Sequence, residues 1–285
     1  MHFFLSLLSV ILGLQSWHCQ ANAQQIERII SLSPGTTELV ASAGGLEKLV
    51  GVIEFSDFPA FAKSLPIVGN SSGLNIEKII QLKPDLIVAW QGGNRLQDIE
   101  KLQSLSKQLD FKLMLFNAKT LEEIPNTINI LEHIIHKTAY KASIVNQLKN
   151  QLNHQRSLYQ NARPVSVFYQ IWNSPLMTIG KDQFISQAIE ICGGKNLFHD
   201  LKQPAAEIGL ESIITRNPEV ILLGGQSATQ KDWLNTWQRW PLIDAVKHKH
   251  IYPLDADQLQ RPTARLIQSL PVLCKTIDQA RIPQK

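Results

Sequence analysis

The chain has 285 residues, enough for two domains with hydrophobic cores of their own. Hydrophobic residues make up 44% and charged residues 18%, the balance of a soluble globular protein. The net charge of +4 is mild, and without a dense Lys/Arg block or aromatic-basic interleaving it excludes a nucleic-acid partner.

The N-terminus reads as a targeting segment. Phe3 to Leu14 is an apolar run too short to span a bilayer comfortably, and Ala21-Asn22-Ala23 is an A-x-A cleavage signal. Residues 1–23 are therefore read as a cleaved secretory signal, although only His2 stands where Lys or Arg is usual. Trp17-His18 before Cys19 lacks the small residues that lipoprotein processing prefers. Cleavage after Ala23 removes Cys19 and leaves Cys192 and Cys274 in an oxidising compartment. One structural disulfide is expected, the alternative being two separate buried thiols.

Arg28 to Leu32 reads as a short buried strand. A helix follows from about Thr36 to Ala43, with Ser33 able to cap it and Gly44-Gly45 ending it. Leu49 to Val52 is a second strand, and Phe55-Ser56-Asp57-Phe58-Pro59 a loop. A strand from Leu86 leads into the loop Trp90-Gln91-Gly92-Gly93-Asn94. A helix over Leu96 to Leu109 and a strand over Lys112 to Phe116 come next. This alternation predicts a mainly parallel sheet covered on both faces.

From Thr120 to about Asn161 no strand signal occurs. Thr120-Leu121-Glu122-Glu123 has the form of a capping box, and the apolar spacing predicts a short helix followed by a long one joining two lobes. His133 and His136 are expected on its solvated face. The second lobe is predicted to hold a strand from Val165 to Gln170, a helix from Phe184 to Cys192, a strand from Val220 to Leu223 and a last strand from His250 to Leu254. Trp233, Trp237 and Trp240 are read as helix packing. Asp255 to Pro262 is a loop before a final helix that carries Cys274.

One stretch occurs twice. Residues 74–88 reappear as 208–222 at a constant offset of 134, each copy a short helix, an x-Pro-acid turn and a buried strand. A repeat of this length implies two similar α/β lobes, and the cleft between lobes is a usual place for a small ligand.

No phosphate-binding glycine loop, dinucleotide fingerprint, nucleophile elbow, H-E-x-x-H or Cys-x-x-Cys is present, so catalysis and a resident metal or cofactor are not expected. Ligands of open α/β sheets sit at the carboxyl ends of strands. The residues there are Phe55 and Phe58, Trp90, Tyr169 and Trp172, and Asp257 with Arg261. Flat apolar faces with a few polar groups suit a large, planar, partly polar ligand. Phe58 could equally be core packing, Tyr169 an ordinary strand residue, and Asp257 with Arg261 a surface ion pair of little worth. Glu77 and Glu211 hold equivalent places early in the repeated helices. By spacing alone they favour the helix dipoles; as docking carboxylates they would suit a two-fold partner with an arginine pocket on each half.

Together these stretches resemble the periplasmic cobalamin-binding proteins of ABC importers, within the larger class of siderophore-, haem- and cobalamin-binding proteins. The matching segments are Ile30 to Pro34 with Thr37-Glu38, Phe55 to Pro59, Leu82 to Asn94, Cys192 to Phe198, Asp257 to Arg261, and Cys274. The resemblance implies two Rossmann-like lobes joined by a single long α-helix, with limited hinge motion and a corrin bound edge-on between them. On it, residues 24–118 form the first lobe, 119–161 the linking helices and 162–285 the second lobe. It implies ligand contacts from Phe55, Trp90 and the loop Asp257-Gln258-Leu259-Gln260-Arg261, beside Phe58, Tyr169 and Trp172, which are candidates from their place after strands. It also implies Glu77 and Glu211 as acids that engage arginines of an inner-membrane ABC permease dimer, and the pairing of Cys192 with Cys274. The chain is then expected to be a periplasmic monomer that carries a corrinoid as cargo, without a cofactor and without catalysing a reaction. Three positions depart from the pattern: Asn70-Ser71-Ser72-Gly73 and Pro204-Ala205-Ala206 lack expected tryptophans, and Gln258 replaces an aromatic. Trp172 is expected to compensate. These losses leave haem, an incomplete corrinoid or a ferric siderophore open as alternative cargo.

Overall fold

The apolar runs at residues 29–31, 86–89 and 220–223 become strands buried on both faces, as expected for parallel strands covered by helices on either side. A computed structural model of the protein describes residues 25–136 and 143–282. The expected signal segment, residues 1–23, lies outside the described residues.

In the first lobe β1 (Ile29–Ser31) leads to α1 (Pro34–Ser42) and β2 (Leu49–Val52). The small hairpin β3 (Gly69–Asn70) and β4 (Gly73–Leu74) comes next, then α2 (Ile76–Gln81), β5 (Leu86–Trp90), α3 (Leu96–Leu109) and β6 (Lys112–Phe116). The main sheet is parallel in the order β2-β1-β5-β6. Its strands alternate strictly. Ile29, Leu86 and Val88 face one core, and Ile30, Ile87 and Ala89 face the other.

α4 (Glu123–His136) and α5 (Ser143–Tyr159) follow. The expected short-then-long pair is in fact two helices of 14 and 17 residues, packed on each other. Half of the predicted capping box at Thr120 forms: the Glu123 carboxylate accepts from the backbone N–H of Thr120 and Lys119. His133 and His136 bond the carbonyls of Asn129 and Ala43.

The second lobe holds β7 (Val165–Asn173), β8 (Leu176–Ile179), α6 (Phe184–Ile191), β9 (Gly194–Asn196), β10 (Ala205–Glu207), α7 (Leu210–Arg216) and β11 (Val220–Leu223). It closes with α8 (Ser227–Trp237), α9 (Asp244–Lys247), β12 (Ile251–Pro253), α10 (Ala256–Leu259) and α11 (Ala264–Asp278). Its sheet runs β10-β8-β7-β11-β12, with β9 also on β7. The pairs β7-β8 and β8-β10 are antiparallel, an edge that the period-2 pattern of the longer runs did not announce. Val167, Tyr169 and Leu222 face one core, and Phe168, Ile221 and Leu223 the other, where Trp233 and Trp237 are buried.

One core is shared by the lobes. The helix-covered face of β1 and β5 runs through α4, α5 and α11 to the corresponding face of β7 and β11 as a single hydrophobic cluster. Cys192 at the end of α6 and Cys274 on α11 form a disulfide across 82 residues of sequence, a loop length that removes about 4 kcal/mol of unfolded-state entropy.

The sequence repeat is a structural one. Lys83 and Asn217 end α2 and α7 with φ of 44° and 45°, the left-handed cap before each proline. The acid after each proline then clamps a neighbouring strand. Asp85 accepts from the backbone N–H of Glu27 and Arg28 at 2.8 and 2.9 Å, and Glu219 from that of Ser166 at 2.9 Å.

Candidate interlobe binding site

The carboxyl ends of β1 and β5 and the loop before α11 come together between the lobes. Ser33 caps α1 by accepting from Thr36 N–H, and its turn lies beside Trp90 at the end of β5. The Trp90 loop is held by Asn94, whose side chain accepts from Trp90 N–H at 2.9 Å and donates to Leu32 carbonyl at 2.7 Å. Gly93 lies against the Trp90 ring, and a Cβ there would meet Cε3 at 2.5 Å. The ring is thereby fixed, half-buried, with an open face.

Trp90, Phe116, Asp257, Gln260 and Arg261 wall a cavity of about 210 Å³ with the first turn of α1. Trp90 also lines a larger cavity of about 760 Å³, walled by Lys119 and Thr120 just before α4 and by Lys181, Gln183 and Lys202 from the second lobe.

A charged cluster crosses from lobe to lobe at the smaller cavity. Glu38 on α1 is 2% exposed. Its carboxylate accepts from Arg265 Nε at 2.9 Å and from Arg265 Nη2, from Thr263 Oγ1 at 2.8 Å and from Arg261 Nη1 at 3.1 Å. Arg261 also donates to Asp57 at 2.8 Å and to Asp257 at 2.7 Å. Burial opposes the charge on Arg261, but the hydrogen bonds to Asp57 and Glu38 and the nearby Asp257 more than offset it and raise its pKa. Partial burial likewise raises the Asp57 carboxyl, and the hydrogen bond and charge of Arg261 outweigh this, leaving it below its ordinary value. The Arg265 guanidinium lies 4.2 Å over the Phe58 ring, which is therefore a half-exposed stacking partner rather than core.

The expected site residues divide. Trp90, Asp257, Gln260 and Arg261 meet around one cavity, and Phe58 joins them through Arg265. The segment expected as a loop contains the helical turn α10, capped by Asp255 accepting from Gln258 N–H. Tyr169, expected on the cleft, lies wholly in the core, with burial pushing its phenol up and no geometric hydrogen bond to its hydroxyl. Leu259 is buried as well, at 3% exposure, while Gln258 is half-buried. Trp172 is 55% exposed on the β7–β8 hairpin, with its indole N–H bonded to Ser174 carbonyl, and walls neither cavity. Phe55 is 73% exposed and has φ of 64°, a left-handed backbone that a bulky residue rarely adopts. Glu77 and Glu211 are exposed in the first turns of α2 and α7.

Glu38, Asp57, Thr263 and Arg265 were not singled out from sequence. A signal existed: Glu38 is the only charged residue of α1, which sequence places between a strand and an apolar run. An acid inside an otherwise uncharged buried helix requires a partner. Among the described residues no group of three or more His, Cys, Asp or Glu could hold a metal ion.

Two α/β lobes around an aromatic-walled cleft, with α4 and α5 between them in the chain, define a bilobal ligand-binding protein. A periplasmic binding protein family profile matches residues 29–258, and the chain belongs to that family. The vitamin B12-binding protein of Vibrio vulnificus (strain CMCP6) is 34% identical over 262 residues, 91% of this chain and 94% of that one. The crystal structure of the periplasmic vitamin B12 binding protein BtuF of Vibrio cholerae superposes with a TM-score of 0.80 at 34% identity, covering 90% and 99% of the two chains. The heme-binding protein RhuT of Roseiflexus sp. RS-1, in apo form, shares the fold with a TM-score of 0.77 at 20% identity, covering 90% of this chain and 100% of that one.

Two substitutions test this geometry. Glu38→Ala leaves Arg265 without a carboxylate and is expected to lower stability by about 3 kcal/mol in urea unfolding; an unchanged midpoint would show that the interlobe cluster contributes nothing. Phe55→Gly relieves the left-handed backbone at an exposed ring and is expected to raise stability by about 1 kcal/mol. A fall instead would mean that the Phe55 ring packs.

Proposed function

We propose that the protein captures cobalamin or a closely related corrinoid in the interlobe cleft and delivers it to an ABC transporter permease. The observation that carries this reading is the 34% identity to vitamin B12-binding proteins along more than nine-tenths of the chain. The site supports it physically. Trp90 offers a fixed, flat apolar wall, and the two cavities it lines give room for a large planar ligand bound by its edge. Phe55 and Phe58 supply apolar surface near the Asp57 end. Asp257 and Gln260 hydrogen-bond polar substituents.

The chain acts in the periplasm as a monomer, after export and removal of residues 1–23. It carries its ligand as cargo, with no cofactor and no reaction. Glu77 and Glu211 each dock one lobe on one subunit of the permease dimer. Both carboxylates are exposed, carry no ion pair among the described residues, and sit in the same place of the two structural repeats. Charge-assisted hydrogen bonds to arginines of a two-fold partner fit that arrangement.

Calorimetric titration of the purified protein with cyanocobalamin, with haem in parallel, is the direct test. One-to-one binding of cyanocobalamin in preference to haem is expected; preference for haem would overturn the corrinoid reading. The double variant Glu77→Lys, Glu211→Lys is expected to bind cyanocobalamin as the parent does and to lose transport in a reconstituted permease assay. Transport at the parent rate would remove the docking role.

A further inference from the structure

The two cavities that Trp90 walls differ in charge. At the smaller one Arg261 pairs with Asp57 and Asp257 and Arg265 with Glu38, and Lys63 adds a positive charge near Asp57, so the charges there balance. The larger cavity is lined by Lys119, Lys181 and Lys202 against the single acid Asp182. None of these three ammonium groups is in an ion pair among the described residues.

Their backbones, by contrast, are fixed. Gly180 N–H donates to Pro204 carbonyl at 3.2 Å and Lys181 N–H to Leu201 carbonyl at 3.1 Å, so the β8 end and the loop holding Lys202 run side by side. The approach is close enough that a Cβ on Gly180 would collide with the carbonyls of Leu201 and Gln203. Lys119 is pinned at both ends of its residue: its N–H donates to Glu123 at 2.6 Å, and its carbonyl accepts from Gln187 Nε2 at 2.6 Å. Three cations are thus presented to one cavity by paired backbone, with their charges unspent. Water alone gives no reason to gather like charges there, since each repels the others.

We propose that Lys119, Lys181 and Lys202 form an anion-binding pole of the cleft that takes the phosphodiester of a complete corrinoid. This rests on the corrinoid reading of the site. The chemistry matches at the lysine end. A cobalt(III) corrin with one cyanide carries a formal positive charge, and the phosphodiester of its nucleotide arm a negative one. A cleft with balanced charge at the smaller cavity and excess lysine at the larger one draws the phosphodiester towards the lysines and leaves the corrin beside Trp90. Point-charge ammonium groups on flexible stems suit a phosphate whose position varies with the arm.

The experiment compares cyanocobalamin with dicyanocobinamide, which lacks the phosphodiester and is uncharged. Binding is read by calorimetry for the parent and for the triple variant Lys119→Gln, Lys181→Gln, Lys202→Gln. The triple variant is expected to bind cyanocobalamin about tenfold or more weakly, with cobinamide affinity unchanged. Added salt is expected to weaken cyanocobalamin binding in the parent and to lose most of that effect in the variant. Equal cyanocobalamin affinity in both proteins overturns the proposal, as does an equal loss for both ligands. Because all three side chains are exposed, the single variants serve if the triple one does not fold, each expected to give part of the selective loss. If the parent binds no corrinoid, the proposed function fails separately. The lysine pole is then read with haem, whose two carboxylates offer charge of the same sign: haem binding weakened by the triple variant retains an anion pole, and haem binding that is absent or unaffected overturns it.

Discussion

The buried carboxylate of Glu38 is the constraint around which the cleft is built. It leaves water with a charge that only partners can stabilise, and every partner side chain comes from the other lobe: Arg261, Thr263 and Arg265. A lobe that swung away would strand that charge in the core, at a penalty of several kcal/mol. The shared hydrophobic cluster through α4, α5 and α11 acts in the same direction. Ion cluster and apolar core lie at different places of the interface, so hinge opening has to disrupt both. The cleft is consequently preformed, and a ligand that enters it need not spend interaction energy on ordering the walls.

The same cluster also sets what Arg261 can do. The sequence alone leaves Arg261 open between a ligand contact and an ion pair with Asp257. In the structure its donors are occupied by Glu38, Asp57 and Asp257. It therefore holds two more exposed carboxylates in place while remaining itself mostly buried. Asp57 and Asp257 keep more exposure than Arg261 does, and with Lys63 near Asp57 the charges at that cavity balance.

Much of the fold was legible because its signals are local. The runs at Leu49, Leu86, Lys112 and Val220 are strands because apolar β-formers are bounded by turn residues, and the repeat at offset 134 disclosed two related lobes. The x-Pro-acid turns carry their own physics, a left-handed cap and a carboxylate that clamps the next strand. The antiparallel edge formed by β8 and β10 was hidden because such short segments depend on their neighbours for pairing. Of the site, Trp90 and the 257–261 turn were readable from their position after strands. Tyr169 misled because an aromatic near a strand's carboxyl end satisfies the same pattern whether it faces the cleft or the core, and a single residue of register decides which. Glu38, Thr263 and Arg265 were hidden for a different reason. They are some 225 positions apart in the chain, and no local rule pairs them.

The two cavities at Trp90 express a division of labour that follows from these constraints. Where the lobes are locked, charges are consumed by each other. Where the backbone pairs of Gly180, Lys181 and Lys119 hold the larger cavity, the ammonium groups form no ion pair among the described residues and are exposed on long stems. Rigid walls suit the invariant plane of a macrocycle. Charges on long stems suit an appended arm that need not be placed to a fraction of an ångström. A cleft locked throughout would discriminate the macrocycle but reject its substituents, and one flexible throughout would lose the order that a planar ligand requires. Glu38 makes the division durable, because it fixes the first cavity without drawing on the lysines of the second.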